Sequence, residues 1–222
     1  METIVDTWNR FHARQELGKY PAEYAIRFVA RNFYQAANRK SIRLLDLGCG
    51  DGSNSWYMAR EGFGVSGIDI SDVVICRVAA RLSAEGLRAD FRTGDYTQQL
   101  PWPDATFDAV IDNISLCCNH FDACQRAVAE VHRVLKPGGS FLSCNFTDRT
   151  WGYGSGELVS PNAFINASEG PFAGDRGLGL FMGRAQMDEL YSDFGSKEVN
   201  RASWTLDNGA HLIELWIVNA KK

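Results

Sequence analysis

Apolar residues recur along this chain in two rhythms that take turns. From Pro21 onward, Ala22, Ile26, Val29 and Phe33 fall on one face of a helix, and residues 8–40 as a whole read as helical, with Pro21 suited to the first helical position. A strand-like run at 42–47 follows, then a helix after Ser53 carrying Trp56, Met58 and Ala59. Residues 64–70 read as the next strand. Ser71-Asp72 can cap a helix with Val74, Val78 and Leu82 on one side. A short strand is expected at 89–93, and a fourth at 107–111, apolar enough to be buried on both faces. Asp122 is the expected cap of a helix that turns Cys124, Val128, Val131 and Leu135 inward. Lys136-Pro137-Gly138-Gly139 stops it before a fifth strand at 140–146.

Strand–helix alternation of this kind predicts a parallel sheet with helices on both faces. The tail breaks the pattern. After a helix near 185–191, two strand-like runs at 198–206 and 211–218 flank Asp207-Asn208-Gly209-Ala210, and Asn-Gly is a strong hairpin signal. The last strand is therefore expected to run antiparallel to its predecessor. Residues 147–180 are rich in Gly, Ser, Asn and Pro with scattered aromatics (Trp151, Tyr153, Phe164, Phe172) and show little periodicity, the signature of a functional loop or lid.

Composition narrows the picture further. A chain of 222 residues with 45% hydrophobic and 23% charged residues suits one soluble domain. A net charge of −4 makes nucleic acid an unfavoured partner. No apolar run approaches the roughly 20 residues that span a bilayer. The start lacks the basic and apolar regions of a signal peptide, so a cytoplasmic home is expected. The six cysteines form no C-x-x-C pair and read as reduced apolar residues. Cys117, Cys118 and His120 are not joined by a second ligand cluster, so no metal is expected.

The stretch Leu44-Leu45-Asp46-Leu47-Gly48-Cys49-Gly50-Asp51-Gly52 carries the most chemistry. It reads as a buried strand entering a glycine turn that lets backbone approach a ligand, with free N–H groups at the start of the next helix. In a dinucleotide-binding turn the third glycine comes one place later. Asp46, ahead of the first glycine, would repel a pyrophosphate but favour an ammonium or sulfonium ligand. Together with Asp69 closing the second strand, Gly94-Asp95 closing the third and Leu135-Lys136-Pro137-Gly138-Gly139 before the fifth, this turn resembles that of the class I S-adenosylmethionine-dependent methyltransferases. The resemblance covers roughly residues 42–146, and the hairpin tail also matches.

The resemblance implies an α/β Rossmann-like fold: a seven-stranded, mostly parallel sheet with an antiparallel C-terminal hairpin and helices on both faces. It implies one domain over 1–222, with an N-terminal helical lid (1–40), a cofactor-binding core (42–146), a substrate-side loop or lid (147–180) and a C-terminal helix and hairpin (181–222). The cofactor implied is S-adenosylmethionine. Gly48, Cys49 and Gly50 would pass close to its methionine part, and Asp46 would meet the turn or the amine. Asp69 would accept both ribose hydroxyls, with Ile70 beside the adenine. Asp95 would accept the adenine amino group, with the Tyr96 N–H donating. Asn113 and Ile114 would face the methionine end, and Tyr20 the carboxylate. Taken singly, Asp69 serves equally as a helix cap, Asp95 as a turn residue and Tyr20 as a core tyrosine.

Methyl transfer from a sulfonium is a direct displacement, so positioning carries much of the catalysis. An oxygen acceptor needs a proton removed, which makes His120, just past the fourth strand, the expected base, with Asp122 to orient it. His12 remains open as a second candidate. Trp8, Phe11 and His12 are expected to close a lid, and Asp148, Arg149, Trp151 and Tyr153 to line an acceptor site. The acceptor expected is a small molecule methylated on O or N. An RNA nucleotide, or a cofactor-binding subunit without activity, are the alternatives.

Overall fold

The computed structural model describes residues 3–174 and 176–222. Met1, Glu2 and Asp175, which fall within the two expected lids, lie outside the described residues.

The central sheet is built from β1 (Arg43–Leu47), β2 (Gly64–Asp69), β3 (Asp90–Thr93), β4 (Phe107–Asn113) and β5 (Leu135–Phe146). A C-terminal pair completes it after the shorter strands of the 147–180 region: β9 (Ser196–Leu206) and β10 (His211–Lys221). The order is β3-β2-β1-β4-β5-β10-β9, with every neighbouring pair parallel through β5. Only β10 runs the other way, antiparallel to both β5 and β9. The Asn-Gly signal is real: Asp207, Asn208 and Gly209 all take positive φ at the tip of this hairpin. The sheet is parallel through β5, as the strand–helix alternation predicts, and the whole is the Rossmann-like fold that the resemblance implies.

Alternation along the strands sorts the core into two layers. Leu44 faces a cluster with residues of α2 (Glu23–Phe33), α3 (Ser53–Arg60) and α4 (Asp72–Ala84). Leu45 and Leu47 face the other cluster, with residues of α5 (Phe121–Val134) and α6 (Arg184–Leu190). Residues buried on both faces explain why β4 reads as a continuous apolar run.

Four expectations are corrected. The 8–40 stretch is two helices, α1 (Ile4–Arg14) and α2, joined by an extended segment. Pro21 stays outside the second helix, whose buried side is Ala25, Phe28 and Val29, with Ile26 exposed. The break is held from afar: Asp51 accepts the Leu17 N–H, and Arg81 donates to the Lys19 carbonyl at 2.8 Å. Asp122 does not cap α5. His120 holds the N-cap position without a side-chain bond, and Asp122 pairs with Arg126 one turn on. Lys136-Pro137-Gly138-Gly139 is part of β5, where the register with β4 shifts, so that helix passes directly into strand. Finally, the 147–180 region carries a small antiparallel sheet of its own, β6 (Glu157–Ser160), β7 (Ala163–Ile165) and β8 (Gly179–Leu180).

Candidate functional site

A cavity of about 450 Å³ opens at the C-terminal ends of the parallel strands, where open α/β sheets hold ligands. The turn after β1 forms its floor. Gly48 has φ +65, and a Cβ there would collide with the side chain of Ser115. Ser115 cannot yield, because its hydroxyl, with one proton to give, is held between the Leu47 carbonyl at 2.8 Å and Asp112 at 2.7 Å. Gly50 has φ +49, and its N–H donates to Asp69 at 3.0 Å. Gly48, Gly50, Asp69, Ile70, Asp95, Tyr96, Asn113 and Ile114, all expected from sequence, line the cavity together. Tyr20 joins them at the rim, 72% exposed and edge-on to Trp56.

Asp69 is buried at the end of β2. Its two oxygens accept the N–H groups of Gly50 and Ser71, tying strand, turn and α4 to one carboxylate. Burial pushes its pKa up, against the pull of those two amide bonds and of His12. Asp95 accepts both the N–H and the hydroxyl of Thr97, at 2.9 and 2.7 Å, which fixes the turn after β3. At the end of β4, Asn113 accepts from the Tyr24 hydroxyl at 2.8 Å. Ile114 sits at φ +61, a strained state for a β-branched residue, held by its N–H bond to the Cys144 carbonyl.

The roof is the N-terminal segment. Trp8, Phe11 and His12 of α1 line the cavity from above, with Phe146 and Phe172 at the β5 side. Asp51, in the glycine turn, is the anchor for this roof. It pairs with Arg77 at 2.7 Å and accepts from Leu17, while Arg77 also donates to the His12 carbonyl and Arg81 to the Asp51 carbonyl. His12 is 3% exposed, and its Nδ1 has no hydrogen-bond partner among the described residues. Burial lowers its pKa, with Asp69 and Asp51 acting in the opposite sense.

A methyltransferase-domain family profile matches residues 44–139, the span from the first strand to the start of the fifth. A demethylmenaquinone methyltransferase of Tropheryma whipplei is 33% identical over 105 residues, 47% of this chain and 41% of that relative. A ubiquinone biosynthesis O-methyltransferase of Maricaulis maris is 32% identical over 111 residues, 50% of this chain and 42% of that relative. Over residues 44–139, less than half of its length, the chain is similar to methyltransferases. The aligned part spans less than half the length of these curated relatives. The fold likeness is broader: a solved S-adenosylmethionine-dependent methyltransferase of Methanosarcina mazei superposes with a TM-score of 0.67 at 22% identity, covering 93% of this chain and 99% of that one.

Three residues expected at this site do not line its cavity. Asp46 is 1% exposed and turned toward α3, accepting the N–H and hydroxyl of Ser55 and, at 3.4 Å, the amide of Asn54. It thus caps a helix whose own N-cap, Gly52, has no side chain. Cys49 is buried behind the turn, its N–H bonded to the Ile68 carbonyl. His120 is exposed at the start of α5, with Nδ1 3.3 Å from the Ser160 hydroxyl. The expected acceptor residues are occupied elsewhere too. Arg149 pairs with Glu214, Trp151 stacks on His211, and the Tyr153 hydroxyl donates to Asn162. Sequence reading did not single out Tyr24, Arg77, Arg81 or Arg176. Only Tyr24 carried a usable signal, standing one helical turn from the Tyr20-Pro21 stretch already noted.

Proposed function

We propose that this chain transfers a methyl group from S-adenosylmethionine to an oxygen or nitrogen of a small-molecule acceptor. The observation that carries the reading is the meeting of four strand ends in one cavity: the Gly48–Gly50 turn, Asp69, Asp95 and Asn113. The residues fit the cofactor. Gly48 and Gly50 put bare backbone on the cavity lining, and Asp69 keeps lone pairs for ribose hydroxyls beyond its two amide bonds. Asp95 and the Tyr96 N–H take the adenine edge, Ile70 its face, and the turn and Tyr20 the methionine end. When bound, the cofactor supplies a methyl group activated on a sulfonium.

The chain's own part is positioning and exclusion of water. Trp8 and Phe11 close the cavity from above while Phe146 and Phe172 wall the acceptor side. The apolar wall favours the displacement, because charge on the sulfonium disperses as the bond to the acceptor forms. A base at His120 finds no support in a side chain that points to Ser160, outside the cavity.

Calorimetry with S-adenosylmethionine and S-adenosylhomocysteine, followed by an assay of S-adenosylhomocysteine release on a metabolite panel and on RNA, tests the proposal. Both nucleosides are expected to bind, Asp69→Ala to weaken them at least about tenfold, and turnover to appear on a small molecule. Tight NAD or NADP binding with no uptake of either nucleoside overturns it.

A further inference from the structure

We propose that the acceptor is a flat, largely apolar molecule that carries a carboxylate, and that Arg176 reads that carboxylate. The inference rests on the methyltransferase reading above and names the class of compound its second subsite takes. Asp69 and Asp95, the only carboxylates among the described lining residues, stand at the β2 and β3 ends where the nucleoside is placed. The rest of the lining includes Trp8 and Phe11 of the roof, Ile114, and Phe146 and Phe172 at the β5 side. Aromatic walls of this kind bury planar ligands well.

Arg176 is the only Lys or Arg among the described residues that line the cavity. Its guanidinium lies 5.1 Å from the centre of the Phe11 ring and donates one N–H to the Pro171 carbonyl at 2.9 Å. The contacts orient the plane of the group without using up its five donors. Among the described lining residues no acidic side chain besides Asp69 and Asp95 is present, so an anion carried by the ligand would match this cation. A carboxylate presents two oxygens to the fork, whereas an uncharged amide of the same shape leaves donors unmatched and a cation is repelled. In a wall this apolar, an anion without such a partner would not leave water.

The test uses the whole chain saturated with S-adenosylhomocysteine. It is titrated by calorimetry with three probes of one shape: 3-hydroxy-2-naphthoate, 3-hydroxy-2-naphthamide and 2-naphthylmethylammonium. The acid is expected to bind at least about tenfold tighter than the amide, the ammonium weakest, and the gap to shrink as salt is raised. Arg176→Gln is expected to bring acid and amide within about threefold, and Arg176→Lys to keep part of the preference. Equal binding of acid and amide, or binding of none of the probes, overturns the inference, and the unaltered chain alone decides this. A variant R176Q that loses S-adenosylhomocysteine affinity while acid and amide keep their ratio assigns the cation to the cofactor's own carboxylate, which also overturns it. If S-adenosylhomocysteine itself fails to bind, the methyltransferase reading falls and takes this inference with it; retained binding with no acid preference sinks the inference alone.

Discussion

Replacing Asp46 by Asn is expected to stabilise the protein at alkaline pH, although Asp46 opens the glycine turn and makes three hydrogen bonds. Asp46 is completely buried, and desolvation raises its pKa to about 7 from an ordinary 3.8, against the pull of its bonds from Ser55 and Asn54. At about 1.4 kcal/mol per decade, holding the charge in the folded state at alkaline pH costs about 4 kcal/mol. The sign follows from the protons bound. Between about pH 4 and pH 7 the folded state holds a proton that the unfolded state has released, so stability falls as pH rises through that window. Below it both states are protonated, and above it the cost is complete.

Asparagine keeps the shape and removes the charge. Its oxygen still accepts from the N–H and hydroxyl of Ser55. Its new amide donor meets Asn54, whose Oδ1 is buried without a partner among the described residues and can turn to accept it. Loss of the charge-assisted bonds and of the favourable charge at the α3 N-terminus offsets about 1–2 kcal/mol. Urea unfolding of both proteins at pH 5, 6, 7 and 8 isolates the effect, because other titrating groups largely cancel in the difference. The two are expected to agree within about 1 kcal/mol at pH 5, with the variant ahead by at least about 1 kcal/mol at pH 8. Asp46→Ala is expected to cost about 2–4 kcal/mol throughout, since it orphans the Ser55 donors. A difference between wild type and D46N that stays flat with pH, or a variant less stable at pH 8, refutes the reasoning.

The glycine turn offers a second contrast. Gly48→Ala drives a Cβ into the pinned Ser115, whereas Gly50→Ala meets only the flexible tip of Leu17 at 3.4 Å. Thermal unfolding is expected to show G48A destabilised by about 3 kcal/mol or more and G50A by only about 1–2, the cost of left-handed backbone. His12 has its pKa lowered chiefly by burial, with Arg77 adding to that and Asp69 and Asp51 opposing it. The folded state therefore resists protonating it, and stability falls as pH drops below about 6.5. His12→Gln is expected to flatten that acid limb in urea titrations while the alkaline limb stays. His120→Ala is expected to change turnover less than about threefold, because its ring bonds Ser160 at the surface; a tenfold loss in a release assay with S-adenosylmethionine would restore it as a base.

The sheet was legible in the sequence because its central strands are buried on both faces and run nearly unbroken in apolar residues. The strand ends were legible for a related reason. A polar residue that closes an apolar run, as Asp69 and Asn113 do, marks where the chain leaves the core, and those positions line the cavity. The small sheet in the 147–180 region was hidden because its strands are four, three and two residues long, too short for a period of two to register. The split of the N-terminal helix was hidden for a different reason. The groups that enforce it, Asp51 and Arg81, are 34 and 62 residues from their partners Leu17 and Lys19.

The two histidines show how sequence distance misleads about site chemistry. His120 follows the β4 end by only a few positions, and Cys118 and Asn119 just before it line the cavity, yet its own ring is exposed at the start of α5 and bonds Ser160. His12 lies far from every strand in sequence but sits beside Asp69, because α1 folds back and is clamped to α4 through Arg77 and through the Ser71 hydroxyl bond to Asn9. The roof thus depends on bonds that also order the glycine turn, since Asp51 serves both. Asp51 therefore ties the glycine turn and the N-terminal roof to one carboxylate, and its replacement by Ala is expected to loosen both.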